Sequence, residues 1–243
     1  MNFKEVTHGG IKLLVPEMAE GVVAEVFDED AYRIKHIARG ATVIDIGAHI
    51  GCFALRCAVE RGCAVVAFEP DPLVFGFLVA NIHLNGAASR IVPTFSAVGA
   101  EVGPRDFYVN LGHPAGSSLW PDDKNANYGR INVPCTTLNN ILPEDGLVDV
   151  LKIDCEGAER EICTDDFLPA LTRTKRIVME WHNYDGGKYR DLLESAGFSV
   201  ELCGGRKPQP PWDPSIGGGM LYAQKLPSSY KPTGYGPSTE GKN

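Results

Sequence analysis

The sequence predicts an α/β fold in a single domain: a doubly wound, mostly parallel sheet. Three observations carry this reading. Short apolar runs rich in β-branched residues, Val43–Ile46, Val65–Phe68, Val148–Ile153 and Arg176–Glu180, recur with helical segments between them, the alternation of a parallel sheet with crossover helices. The first run breaks at Gly47 and Gly51 before Cys52–Val59, an apolar stretch able to continue as a helix. The second run ends in an acid, Glu69, which follows Gly47 by 22 residues. At 243 residues with 44% hydrophobic content, the chain can bury one substantial core, and α/β folds of this length are normally one domain.

Taken in order, residues 1–40 form an N-terminal preamble in which Ile34, Ile37 and Ala38 give a helical face ending near Gly40. Residues 41–225 form the α/β domain. Within it Pro72–Leu84 reads as a helix starting at its proline, and Ile91–Val98 as one strand. Phe107–Asn110 and Arg130–Cys135 read as added strands, and Lys188–Ala196 as a helix closed by Gly197. Phe198–Leu202 and Gly219–Lys225 are the last two strands, and their short connection allows one antiparallel strand. Two loops, Leu111–Gly129 with Trp120 and Gly204–Gly218 with Trp212, are placed to shape an acceptor pocket, where an exposed Trp could stack on a ring or simply pin the loop. Residues 226–243 mix Pro, Ser, Gly and Lys and are expected to be a disordered tail.

The strand–glycine–helix unit is a ligand site. Glycine tolerates φ > 0 and close approach, and the helix that follows presents free N–H groups. Glu69 stands where doubly wound sheets place an acid on a ribose diol. Dinucleotide binders favour G-x-G-x-x-G, which hugs a pyrophosphate. This chain has Asp45-x-Gly47-x-x-x-Gly51, and a carboxylate there would repel phosphate but suits the cationic sulfonium of S-adenosyl-L-methionine. Asp45, Gly47, Ala48, Gly51, Glu69, Pro70, Ser96 and Asp154 are therefore assigned to the cofactor.

The third apolar run ends in charge: Leu151-Lys152-Ile153-Asp154-Cys155-Glu156-Gly157-Ala158-Glu159. Period-two alternation puts Lys152 and Asp154 on one face, opposite Leu151 and Ile153. Ligands of open α/β sheets bind beyond the carboxyl ends of the strands, where Asp154 and Glu156 emerge. The fourth run carries Glu180 and His182 to the same rim. His182 suits proton transfer, because an unperturbed imidazole titrates near operating pH.

Composition narrows the class. The net charge is −8 and the isoelectric point about 5.3, which argue against a surface tracking nucleic-acid phosphate. No apolar run approaches a membrane span, and the N-terminus lacks a signal-peptide core. Seven cysteines without a C-x-x-C pair read as reduced thiols of a cytoplasmic protein, not as a zinc site or disulfide framework.

From about Phe27 to Lys225 the chain resembles the FkbM-like family of class I S-adenosylmethionine-dependent methyltransferases. The resemblance is carried by Phe27-Asp28-Glu29-Asp30-Ala31-Tyr32, Val43 to Gly51, and Ala67-Phe68-Glu69-Pro70 with Asn81 and Asn85. It continues through Ala97-Val98-Gly99, Gly116-Ser117-Ser118, Thr137-Leu138, Glu180 with His182 and, most distinctively, the Leu151–Glu159 string. It implies a Rossmann-like seven-stranded sheet and methylation, mostly of hydroxyls, on a sugar, polysaccharide or natural product. Three positions depart from the family's pattern: His49 for Asn, Cys155 for an aliphatic residue, and Asn139 for Asp. Only the last removes a charge that could serve a substrate.

Methyl transfer to oxygen needs alignment and a base. Asp154 or His182 is expected as the base, with Glu180 orienting His182, Lys152 holding Asp154 ionised and Glu156 binding the acceptor hydroxyl. Asp154, Glu180 and His182 could instead converge on a divalent cation, a possibility ranked second, so no metal ligand is assigned. A small-molecule or carbohydrate acceptor is expected, with neither nucleic acid nor membrane as partner. The alternatives are an NAD(P)-dependent oxidoreductase on the same sheet and an N-methyltransferase.

Overall fold

The structure, a computed structural model, describes residues 2–112, 116–120, 127–182, 186–203 and 218–227. Trp212 and its loop, and the tail from residue 228, lie outside the described residues.

The chain begins with a hairpin, β1 (Phe3–His8) and β2 (Ile11–Pro16). Its turn is Gly9-Gly10, both at positive φ, as a tight two-residue hairpin turn requires. Helix α1 (Glu20–Phe27) follows. The expected helix ending near Gly40 is only a 3-10 turn, Ile34–His36. Ile34 and Ile37 are buried there as expected side chains on an irregular backbone, so the apolar spacing marked burial and not a helix.

The α/β unit then runs β3 (Thr42–Ile46), α2 (Cys52–Arg61), β4 (Ala64–Phe68), α3 (Pro72–Leu84) and β5 (Ile91–Thr94). Asp71 caps α3, accepting from the N–H groups of Leu73 (2.9 Å) and Val74 (3.3 Å), with Pro72 at the first helical position. The predicted strand Ile91–Val98 divides here: β5 stays in the main sheet, and β6 (Ala97–Val98) joins β7 (Gly103–Asn110) and β8 (Tyr128–Thr136) in a separate three-stranded sheet. Ser96 makes the corner, its hydroxyl facing the carbonyls of Ala97 and Pro134.

After α4 (Leu138–Ile141) come β9 (Val148–Ile153), the short helices α5 (Glu159–Ile162) and α6 (Leu168–Leu171), and β10 (Thr174–His182). The chain closes with α7 (Gly186–Ser195), β11 (Phe198–Cys203) and β12 (Gly218–Lys225). The main sheet has seven strands in the order β11-β12-β10-β9-β3-β4-β5, with β12 antiparallel to both neighbours. That is the predicted doubly wound class with its one antiparallel strand.

Two cores cover the two faces. On one side, the hairpin and α1 to α3 pack around Ile11, Leu13, Phe53, Leu55 and Leu78, with Val43, Val150 and Val178 from the sheet. On the other, α4 to α7 pack against Ile44, Ile46, Leu151, Ile153, Ile177 and Met179. Alternation along each strand sends neighbouring residues to opposite cores. Asn81, fully buried in α3, ties the hairpin down: its Oδ1 accepts from Leu14 N–H (2.7 Å) and its amide donates to Ile50 O (2.9 Å).

Candidate active site

The strands β3, β4, β9 and β10 end side by side, and every residue of the candidate site except Tyr32 emerges from those ends. After β3 the chain turns through Gly47 (φ +76°), His49 (φ +52°) and Gly51 (φ +91°). A Cβ on Gly47 would sit 1.7 Å from the carbonyl oxygen of Asp154, and one on Gly51 would sit 2.7 Å from Leu78 Cδ1. Both glycines are thus required by close protein packing as well as by φ. His49 occupies the left-handed region that Asn tolerates best and His better than most residues, which explains why it can stand where the family has Asn. The N–H groups of Gly47 and Ala48 donate to Phe68 O at 3.0 and 2.9 Å. Glu69 is buried; one carboxylate oxygen accepts from His49 N–H and the other from Asp71 N–H, each at 2.8 Å. Burial pushes its pKa up to about 8, against the pull of those two N–H groups. Pro70 follows it, half-buried, at the mouth of the turn.

Asp45 on β3 and Lys152 on β9 are register partners across parallel strands. Their side chains share a face, and Lys152 Nζ lies 3.2 Å from Asp45 Oδ1 and 3.4 Å from Asp154 Oδ2. The same ammonium donates to Gly47 O (2.6 Å) and Ile46 O (3.3 Å). Burial opposes its charge, but Asp45 and Asp154 outweigh that and raise its pKa. Asp45 has no exposed surface. It sits beneath Lys152 as its counter-ion and not in the cleft, a correction to its expected place beside the cofactor.

Asp154 follows β9 directly. Burial works against its ionisation, but Lys152, His182 and the Tyr32 hydroxyl together lower its pKa. Tyr32, only 2% exposed, donates from its hydroxyl to Asp154 Oδ2 at 2.7 Å, with Glu180 Oε2 at 3.4 Å. Its ring packs edge-on against Phe53, with centroids 5.5 Å apart.

The loop after Asp154 is clamped by Glu159, whose fully buried carboxylate accepts from the N–H groups of Cys155 (2.8 Å) and Gly157 (2.9 Å). Glu156 takes positive φ (+53°) inside this loop, and Ser118, bridged to Tyr108 of β7, donates its hydroxyl to Glu156 O. Cys155 is half-buried, and burial raises the pKa of its thiol.

His182 stands among carboxylates: Glu159 Oε1 at 3.4 Å from Nδ1, and Glu156 Oε2 and Glu180 Oε1 at 3.6 and 3.7 Å from Nε2. Burial disfavours its charge, yet Glu156, Glu159 and Asp154 prevail and raise its pKa well above the ordinary value. The charged ring is thereby favoured, which weighs against the expected role of His182 as the base; that expectation treated the imidazole as unperturbed. Burial, and then the Asp154 charge, push Glu180 up to about 8; burial lifts Glu156 to about 7.

The sequence-predicted residues Gly47, Lys152, Asp154, Glu156, Glu180 and His182 are brought together at one rim. Ser96 is not among them, because its hydroxyl serves the corner between the sheets. Gly51 is buried under Leu78 instead of lining the cleft. Two contributors lay outside the predicted set: Tyr32, whose signal was a lone aromatic at the end of the Phe27–Tyr32 run, and Glu159, the last acid of the distinctive string. Asp154, Glu180 and His182 each present a donor atom, all within 4.8 Å of one another, a set able to hold a divalent cation. Asn139 accepts a hydrogen bond from Arg173 (3.2 Å) at an exposed position on α4. Trp120 donates its indole N–H to Glu161 and lies under the Arg160 guanidinium, 5.4 Å from the ring centroid, so the loop is pinned through it. No helix among the described residues is long and apolar enough to cross a membrane.

Comparison with known proteins identifies the family and the fold. Residues 45–200 match the family model described as the methyltransferase FkbM domain. The chain is similar to the methyltransferase sdnD of Sordaria araneosa, 27% identical over 75% of this chain and 83% of that protein. It is also similar to the 31-O-demethyl-FK506 methyltransferase FkbM of Streptomyces tacrolimicus, 28% identical over 75% of this chain and 82% of that protein. Among solved structures, TYW2 of M. jannaschii in complex with AdoMet superimposes with a TM-score of 0.51 at 15% identity, covering 92% of this chain and 87% of that one. That likeness establishes the shared class I fold.

Proposed function

The chain belongs to the FkbM methyltransferase family, and on that premise we propose that it is an O-methyltransferase, using S-adenosyl-L-methionine to methylate a hydroxyl of a sugar, polysaccharide or natural product. Membership in the family sets aside the oxidoreductase alternative. The observation that carries the proposal is the contact between Gly47 and Asp154: the cofactor turn touches the backbone of the one rim carboxylate that Lys152 and Tyr32 both hold ionised.

The residues present fit the cofactor. Glu69 has both oxygens fixed by backbone N–H groups and keeps lone pairs for two ribose hydroxyls. The anionic rim suits a sulfonium and an ammonium. S-adenosyl-L-methionine supplies an activated methyl group when bound. The chain then has two tasks. Glu156 and Glu180 hold the acceptor hydroxyl in line, and Asp154 takes its proton as the new C–O bond forms. His182, its charged form favoured by these neighbours, ties Glu156, Glu159 and Glu180 into one arrangement. The excess of carboxylates disfavours acceptors bearing phosphate, in keeping with a small-molecule or carbohydrate partner and not nucleic acid. The free thiols suit a reducing, cytoplasmic setting.

The same anionic rim favours a second reading, a cationic amine acceptor and N-methylation. Incubation with methyl-labelled S-adenosyl-L-methionine and matched alcohol and amine libraries separates the two. A methyl ether product, formed by the wild type and lost in Asp154→Asn, supports the proposal. Label found only on nitrogen overturns it.

A further inference from the structure

Six carboxylates meet at the rim and beneath it: Asp45, Asp154, Glu156, Glu159 and Glu180, with Glu25 of α1 acting on Glu180. Among the described residues, the cations in ion-pair contact with the rim carboxylates are Lys152 and His182. Lys152 is shared, because Asp45 lies 3.2 Å from its ammonium and has no exposed surface. Once Glu156 and Glu180 give up their protons, at about pH 7 and 8, negative charge is left over, and it faces the cleft: the side chains of Asp154, Glu156 and Glu180 are 20%, 35% and 17% exposed.

The cofactor's charged sulfur belongs beside this excess. Glu69, the ribose ligand, ends β4, and Asp154 ends β9, with β3 and its Gly47 turn between them. Strands lie about 4.8 Å apart, so a cofactor with its ribose on Glu69 and its tail across the Gly47 turn would bring its sulfur to the β3–β9 side.

We propose that the leftover charge makes the site a filter for the cofactor's charge state, holding the sulfonium and releasing the uncharged thioether that transfer leaves behind. The step balances. The methyl passes from sulfur to the acceptor oxygen, the S–C electron pair stays on sulfur, and the hydroxyl proton goes to Asp154. The sulfur loses its positive charge and the rim loses one negative charge together, so attraction for the spent cofactor collapses as the reaction completes. One uncompensated carboxylate about 7 Å away, at an effective dielectric near 20 and with solvent screening, favours the sulfonium by about tenfold. The inference rests on the cofactor assignment.

The test is calorimetric titration of the full chain at pH 8.5, above the values of about 7 and 8 for Glu156 and Glu180, in EDTA with S-adenosyl-L-methionine, S-adenosylhomocysteine and sinefungin, which carries an ammonium where the sulfonium would be. The two cationic ligands are expected to bind at least about tenfold more tightly than S-adenosylhomocysteine. That ratio should shrink in Glu180→Gln, in Glu156→Gln and in high salt. S-adenosylhomocysteine binding as tightly as S-adenosyl-L-methionine, or a ratio unmoved in both variants, overturns the filter while leaving the cofactor assignment intact. Binding by none of the three overturns the assignment and the filter with it.

Discussion

The turn after β3 and the rim after β9 and β10 face the same cleft and are built on opposite principles. In the turn, the N–H groups of Gly47, Ala48, His49 and Gly51 each have a protein acceptor, and both glycines press against other parts of the chain. Its shape is complete without a ligand. In the rim, burial and then the neighbouring carboxylates keep protons on Glu180 and Glu156 up to about pH 8 and 7. Its charge is complete only when a cation arrives. A preset turn gives the nucleoside a fixed seat, and an unbalanced rim makes binding and chemistry depend on charge.

The largest expected effect breaks the turn. Gly47→Ala puts a methyl 1.7 Å from a backbone carbonyl at a positive φ, and should destabilise the fold by more than about 3 kcal/mol in chemical denaturation. Near-native stability in that variant would mean that the turn is pliable, and the contrast with the rim would fail. Asp154→Asn should lower turnover by about a hundredfold or more while changing cofactor affinity far less; equal losses in both would make Asp154 a binding residue only. Tyr32→Phe keeps the ring against Phe53 and removes one hydrogen bond. A loss of about 1 kcal/mol in stability and about tenfold in turnover is expected, with less-than-additive loss in combination with Asp154→Asn. Strict additivity would detach Tyr32 from Asp154.

A smaller effect is a pH slope. Burial raises the Glu69 pKa from 4.5 to about 8, so the folded protein binds that proton more tightly than the unfolded chain. The stability this contributes is full below about pH 4.5 and is lost as pH rises through about 8. The melting temperature of the ligand-free protein should fall across that window, and Glu69→Gln should flatten part of the fall; an unchanged slope would show that Glu69 is ionised throughout. The smallest effect belongs to Asn139→Asp. It exchanges one exposed Arg173 partner for a charged one and should shift stability by less than about 0.5 kcal/mol, with turnover unchanged. A clear gain in turnover would bring α4 into the site.

Much of this was legible in the sequence where a local rule was strong. The strand ends at Gly47, Glu69 and Asp154, the α3 start at Pro72 and the alternation of Lys152 with Leu151 and Ile153 all follow from short-range patterns, whereas the fourth strand, expected to end at Glu180, runs on to His182. What escaped depends on long-range geometry. Gly9-Gly10 flanked by Ile11, Leu13 and Val15 was a readable hairpin signal, yet its docking rests on Asn81, distant in sequence. The break at Ser96 comes from a second sheet competing for Ala97 and Val98. His182 looked like a base because its type titrates near neutrality, while Glu156 and Glu159, arriving from the loop and short helix after β9, favour its charged form. Tyr32 reaches Asp154 across 122 positions, and no local pattern announces such a contact.

The most direct measurement is a crystal structure of the protein soaked with S-adenosyl-L-methionine. The account predicts ribose hydroxyls on Glu69, with the methyl aimed between Asp154 and Glu180. A nucleoside bound away from Glu69, or a methyl facing away from that rim, would contradict it.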